Sequence, residues 1–217
     1  MKNRKAGPAV VLLSGGLDSA TVLYLAKAKG YSCNCLIFDY GQLHKKEILQ
    51  AQRIAEAAGC AYKILKIEFP WKGSALLDRA IKVPVRSGRL IPATYVPSRN
   101  IIFLSFAASF AETIGARAIF IGAHSQDYSG YPDCRPEFIA AFSKMIKAGT
   151  YGNFNIQAPL LYKDKSQIIF IGKKLGVPFE LTWSCYRGGK APCEKCDSCH
   201  YRAKGFKEAG LIDPLKE

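Results

Sequence analysis

Short apolar runs alternate along this chain with longer segments whose apolar positions recur three and four residues apart. Ala9–Leu13 predicts a buried strand, Ala20–Lys29 a helix and Ser32–Phe38 a second strand. Leu43–Ala58 carries Ile48, Ile54, Ala55 and Ala58 at helical spacing, Gly59 ends it, and Ala61–Ile67 predicts a third strand. Between Glu68 and Pro97 the periodicity breaks. Pro70, Pro84, Pro92 and Pro97, with Gly73 and Gly88, argue against long regular elements, and the segment reads as a lid or substrate loop. Regularity resumes with a helix over Arg99–Ile114 and a strand over Ala116–Ile121. A polar, glycine-containing loop then covers Gly122–Cys134, a helix with Pro136 in its first turn runs to Lys147, and another spans Lys165–Leu175 before Gly176. Strand–helix repetition predicts an α/β fold, a doubly wound, mostly parallel sheet covered on both faces, with ligands at the C-terminal strand ends. There is no internal repeat and no clear interdomain linker, so residues 1–217 read as a single domain.

The junction between the first strand and its helix carries the chemistry. Leu13, Ser14, Gly15, Gly16, Leu17, Asp18 and Ser19 form a tight glycine loop that aims backbone N–H groups and the positive end of a helix dipole at one point, an anion site. The two glycines allow a sharp turn and close approach to a ligand. Ser14 and Ser19 add hydroxyls, and Ser19 or Asp18 is a candidate helix cap. A kinase-type phosphate loop would end in Gly-Lys-Ser/Thr; here Asp18 precedes Ser19 and that lysine is missing. A carboxylate beside a phosphate site suggests Mg²⁺ held between the two. The G-x-G-x-x-G dinucleotide fingerprint is also absent, so kinases, GTPases and dehydrogenases fit poorly.

Net charge changes the picture little. The formal value of +14 invites a nucleic-acid reading, but Lys27, Lys63, Lys82, Lys144, Lys173 and Lys204 are scattered and form no basic block interleaved with aromatic residues. Direct nucleic-acid binding is not expected; attraction of ATP and an anionic small substrate accounts for the charge equally well. The N-terminus does not read as a signal peptide, and Ile101–Ala111 is too short to span a bilayer, so a cytoplasmic protein without membrane association is expected.

Cysteine usage is more specific. Cys185, Cys193, Cys196 and Cys199 follow a C-x7-C-x2-C-x2-C spacing within residues 183–202. Two-residue gaps let neighbouring thiolates converge on one tetrahedral ion, and four sulfurs make a closed structural Zn²⁺ site without an open catalytic position. Cys33 and Cys35 share one face of a strand and read as core, as does Cys60. Cys134, in the polar loop, reads as a buried small residue.

The loop Ser14–Ser19 resembles the SGGxDS loop of the PP-loop ATP pyrophosphatase superfamily, which cleaves ATP between the α and β phosphates. Asp39-Tyr40-Gly41-Gln42, Val96-Pro97-Ser98-Arg99-Asn100, the run Asp127–Phe138 and Thr182–Tyr186 leading into the cysteines extend the resemblance over almost the whole chain. Together they look like the 7-cyano-7-deazaguanine synthase (QueC) family. Ser98 and Glu194 depart from it, standing where smaller residues or glycine are common. The resemblance implies a Rossmann-like, adenine-nucleotide α-hydrolase-like fold and an ATP-dependent carbon–nitrogen ligase. It converts 7-carboxy-7-deazaguanine and ammonia to the nitrile, releasing AMP and pyrophosphate through adenylated carboxylate and amide intermediates, in 7-deazapurine (queuosine/archaeosine-type) nucleoside biosynthesis. It further implies ATP, Mg²⁺ and Zn²⁺, and a homodimer. On this basis Asp18, joined by Asp39, is the candidate Mg²⁺ ligand, and Arg99 and Lys165 are phosphate contacts with Asp18 in the catalytic set. Asp127, Tyr131, Asp133 and Arg135 are candidates for binding the deazaguanine, the carboxylates accepting its N–H groups, Tyr131 stacking and Arg135 pairing with the carboxylate. His124 could polarise the adenylate or be a satisfied buried histidine. Another PP-loop enzyme, such as a tRNA thiolase or an ammonia-dependent amide synthase, stays open, as does a zinc-stabilised RNA-binding module. The last would leave Ser14–Ser19 without a purpose.

Overall fold

The apolar runs become strands of one sheet in a computed structural model, which describes residues 6–85, 91–124 and 130–216. Five strands, β1 (Gly7–Leu12), β2 (Tyr31–Asp39), β3 (Ala61–Lys66), β4 (Ala118–Phe120) and β5 (Asn155–Gln157), lie in the order β3-β2-β1-β4-β5. Every neighbouring pair is parallel, so the sheet is wholly rather than mostly parallel. The helices are α1 (Leu17–Ala28), α2 (Lys46–Ala57), α3 (Arg99–Thr113), α4 (Pro136–Gly149), α5 (Lys165–Leu175) and α6 (Asp197–Glu208). Strand order reverses between β1 and β4, the switch point at which such sheets open a crevice.

Alternation of side chains along the central strands builds two cores at once. Ala9, Val11 and Leu13 pack with Leu23, Ile54, Ile168 and Phe206 on one face. Val10 and Leu12 pack with Leu104, Phe142 and Ile146 on the other. Strand β2 divides likewise, Cys33, Cys35 and Ile37 going one way and Leu36 and Phe38 the other. With both of its faces buried, the central strand β1 has to be apolar throughout, which explains why Ala9–Leu13 reads as an unbroken run.

The expected helix at Lys165–Leu175 is found at those limits because both ends carry strong signals. Asp164 and Gln167 form a reciprocal capping box, and Gly176 closes the helix in the left-handed conformation. The short strand β5 and helix α6 lie outside the elements expected from periodicity. Residues 67–97 contain no helix or strand among the described positions, but they are anchored: Leu43 N–H donates to the Leu76 carbonyl at 2.9 Å, and Ala75 N–H to the Ala93 carbonyl at 2.7 Å. No helix among the described residues is long and apolar enough to cross a membrane.

Candidate active site and cysteine centre

Strand β1 ends at Leu12, and the loop that follows folds onto itself before α1 begins. The Ser19 hydroxyl donates to the Gly16 carbonyl at 3.0 Å and accepts from Ser14 N–H at 3.2 Å, while Gly16 N–H donates to the Ser14 hydroxyl at 3.3 Å. Gly15 has φ of +83°, and a Cβ there would strike the Glu47 carbonyl oxygen of α2. The loop is thus wedged against the first turn of α2. Gly16 occupies the cap position of α1 and supplies no side-chain cap, so neither Asp18 nor Ser19 takes that role; both stand inside the first turn. The first N–H groups of α1 face the end of the sheet with the positive helix end behind them.

Asp18 turns toward α5 instead. Its carboxylate accepts from Lys165 Nζ at 2.7 and 2.9 Å and lies 3.5 Å from His124 Nε2, which is itself 3.0 Å from Lys165 Nζ. A lysine at the first position of a helix opposes the helix dipole, and the Asp18 charge compensates for it. Burial works to raise the Asp18 proton affinity, but the Lys165 and His124 charges overcome it and hold the carboxyl well below the usual carboxylate range. Asp18 is therefore a fixed anion rather than a proton carrier.

A cavity of about 250 Å³ opens at the switch point, and Asp18, Tyr40, Glu47, Arg99, Cys134 and Trp183 are among the residues lining it. Arg99 stands at the first position of α3, and its Nη1 donates to the Tyr40 hydroxyl at 3.4 Å. Burial disfavours the Arg99 charge, while Tyr40, Tyr131, Tyr186 and Asp133 around it restore it. The same cavity carries a carboxyl of the other kind: burial pushes Glu47 up, only partly offset by Arg99 and by a hydrogen bond from Gln42 Nε2 at 3.1 Å.

The loop nominated for the base is divided. Asp127 lies outside the described residues. Asp133 is buried behind the cavity wall, where its carboxylate accepts from the Asn100 N–H in the first turn of α3 at 2.9 Å, the work of a helix cap. The Tyr131 hydroxyl bonds to Thr94 at 2.8 Å, and Arg135 is exposed at the start of α4. Cys134 reaches the cavity and accepts from Asn100 Nδ2 at 3.3 Å. Asp39 is turned aside, its carboxylate paired with Lys45.

Cys185, Cys193, Cys196 and Cys199 converge: their four sulfurs lie within 4.8 Å of one another. Cys185 Sγ accepts the backbone N–H groups of Arg187 and Cys193 at 3.4 and 3.3 Å, and Cys193 Sγ accepts that of Cys196 at 3.4 Å. Backbone donors aimed at sulfur favour thiolates, so the donor set fits a bound metal ion. The cluster is tied to the loop. Trp183 N–H donates to the Gly15 carbonyl at 2.8 Å, and Lys46 Nζ lies 3.5 Å from the Trp183 ring centre while donating to the Lys190 carbonyl at 2.6 Å. Behind it, buried Arg202 of α6 pairs with Asp213 through two 2.8 Å bonds and donates to Thr182 at 2.6 Å. Glu47 and the Arg202–Asp213 pair escape sequence reasoning, and Gln42 enters it only as part of the Asp39–Gln42 run. Glu47 is one charge among several in the expected helix Leu43–Ala58, and the residues that line the cavity beside it, Arg99 and Trp183 among them, are distant in the chain.

The family model described as "Queuosine biosynthesis protein QueC" matches residues 8–210. The chain is 55% identical to the 7-cyano-7-deazaguanine synthase of Clostridium kluyveri, covering 96% of each chain. It is 53% identical to the enzyme of that name from Pseudomonas aeruginosa, over 95% of this chain and 96% of that one. Among solved structures, the NMN synthetase of Francisella tularensis is similar in fold, with a TM-score of 0.53 at 17% identity over 97% of this chain and 80% of that one.

Proposed function

This chain belongs to the QueC family of queuosine-biosynthesis proteins, and from that premise we propose that it makes 7-cyano-7-deazaguanine from 7-carboxy-7-deazaguanine, ammonia and ATP. The observation that carries the reading is the convergence on one cavity of the Ser14–Ser19 loop, the fixed Asp18 anion and Arg99 at the reversal point of the sheet. A carboxylate is a poor electrophile, so ATP first converts it to an acyl adenylate and pyrophosphate leaves. Ammonia forms the amide, and a second ATP activates the amide oxygen so that loss of AMP leaves the nitrile.

In this reading the α1 N–H groups and the Ser14 and Ser19 hydroxyls cradle the phosphates, stabilising the charge that develops as pyrophosphate departs. Arg99 and Lys165 supply positive charge from two sides. Asp18 orients Lys165 in the free enzyme and is the residue we assign to Mg²⁺, which would neutralise pyrophosphate. The substrate carboxylate is assigned to the Arg99 side of the cavity, with Asp133 acting through its bond to the first turn of α3, which carries Arg99; Tyr131 and Arg135 are kept as candidate contacts to the deazaguanine. Zn²⁺ is assigned to Cys185, Cys193, Cys196 and Cys199, which would hold it; bound there it would fix the segment whose Trp183 backbone N–H bonds Gly15 and so help to hold the loop in place. A cytoplasmic homodimer using free ammonia completes the proposal; sedimentation of the purified chain tests the dimer.

The deciding experiment incubates the protein with Mg-ATP, ammonium and 7-carboxy-7-deazaguanine, and follows products by mass spectrometry. A nitrile with AMP and pyrophosphate is expected. Cleavage of ATP only with some other acceptor would reject the substrate, and no cleavage at all would reject the PP-loop chemistry.

A further inference from the structure

Two carboxyl groups line the cavity, and their surroundings drive them apart. Asp18 is locked between Lys165 and His124 and keeps its charge. Glu47 sits in the first turn of α2, and burial raises its proton affinity. Divergence of this kind separates an electrostatic anchor from a proton-transfer group within one site. The Glu47 surroundings are also built. Gln42 accepts the Tyr40 N–H with Oε1 at 2.8 Å and donates to the Phe38 carbonyl with Nε2 at 3.2 Å, so its amide cannot turn. The same Nε2 donates to Glu47 Oε1 at 3.1 Å, and no other side-chain hydrogen bond to Glu47 is found among the described residues. One carboxylate oxygen is therefore fixed by a locked amide while the other is left to the cavity. The charged and titratable groups that line the main cavity with it are Asp18, Arg99 from α3, Tyr40 after β2, Cys134 and Tyr186, and a small adjoining cavity adds His44 and Cys185.

Resting on the proposed reaction, we infer that Glu47 is the proton acceptor that turns ammonium into the nucleophile. Ammonium gives one proton to the Glu47 carboxylate. The freed nitrogen lone pair forms the C–N bond to the acyl carbon as the C–O bond to AMP breaks, its electron pair leaving on the phosphate; the nitrogen's second proton passes to water. Asp18 cannot do this, because a carboxylate that holds its proton so weakly is a poor base.

The test compares wild type with Glu47→Gln, which keeps the shape and the cavity. Two partial reactions are read: pyrophosphate–ATP exchange dependent on 7-carboxy-7-deazaguanine, and capture of the adenylate by ammonium or by hydroxylamine, which is already unprotonated at neutral pH. Exchange in the variant should stay within a few-fold of wild type, which also shows that it folds. Amide formation with ammonium at neutral pH should fall by about 10²–10⁴-fold, climb with pH as free ammonia rises, and be matched by near-normal hydroxamate formation. Loss of exchange together with amide formation would overturn the inference and place Glu47 in nucleotide or base binding. Undiminished ammonium use, or no recovery with hydroxylamine, would overturn it too. Absence of exchange in wild type would instead defeat the underlying reading.

Discussion

Replacing Gly15 with alanine tests the wedge between the Ser14–Ser19 loop and α2. The residue holds φ of +83°, which for an L side chain costs about 1–2 kcal/mol. The new Cβ would also meet the Glu47 carbonyl oxygen and come within 2.9 Å of Ala51 N. Both are backbone atoms of a hydrogen-bonded helix, so neither can swing away as a side-chain tip would, and overpacking of this sort costs roughly 1–3 kcal/mol. The sum, about 2–5 kcal/mol, corresponds to a melting temperature lowered by roughly 4–20 °C for a chain of this size. ATP affinity should fall as well, because relief requires the loop to move away from α2 and from Trp183. Gly41→Ala is the control: its φ is +82°, but a Cβ there meets nothing within 4 Å, so only the conformational cost applies. Thermal melts and ATP titrations on both variants provide the comparison. Equal destabilisation of the two, or unchanged ATP binding in Gly15→Ala, would refute the wedge.

Ser98 and Glu194, both at φ of 56°, are the non-glycine residues with positive φ among those described; changing either to glycine should raise stability by up to about 1–2 kcal/mol in denaturant titrations. The Asp18 carboxyl lies below its unfolded value of 3.8, so its contribution is present above that pH and is lost as pH falls toward its folded value. Lys165→Met should flatten the acid limb of stability against pH below about 4 and sharply reduce turnover; an unchanged acid limb would reject the Asp18–Lys165 coupling. Elemental analysis should find one zinc per chain. Chelation or Cys196→Ser should lower stability by about 4 kcal/mol where metal exceeds its dissociation constant a thousandfold, and should weaken ATP binding through the Trp183–Gly15 bond.

The sequence by itself determined the elements whose signals are local. A capped helix such as α5 is legible because Asp164, Gln167 and Gly176 carry their own instructions. The Ser14–Ser19 loop is legible because its composition dictates a turn into a helix, and the four cysteines because metal geometry restricts their spacing. Strand β5, three residues long, is too short to show a period, and α6 was obscured by the cysteines that precede and enter it. Tertiary structure decided what depends on residues distant in the chain: the order β3-β2-β1-β4-β5, the meeting of Asp18 with Lys165 across 147 positions, and the bond from Trp183 to Gly15. It also decided the fate of the carboxylates. Asp133 became a cap for α3, Asp18 a fixed anion and Glu47 a carboxyl with raised proton affinity. The physical reason is that charge and proton affinity follow from burial and neighbouring charges, and chain packing, not sequence order, chooses those neighbours.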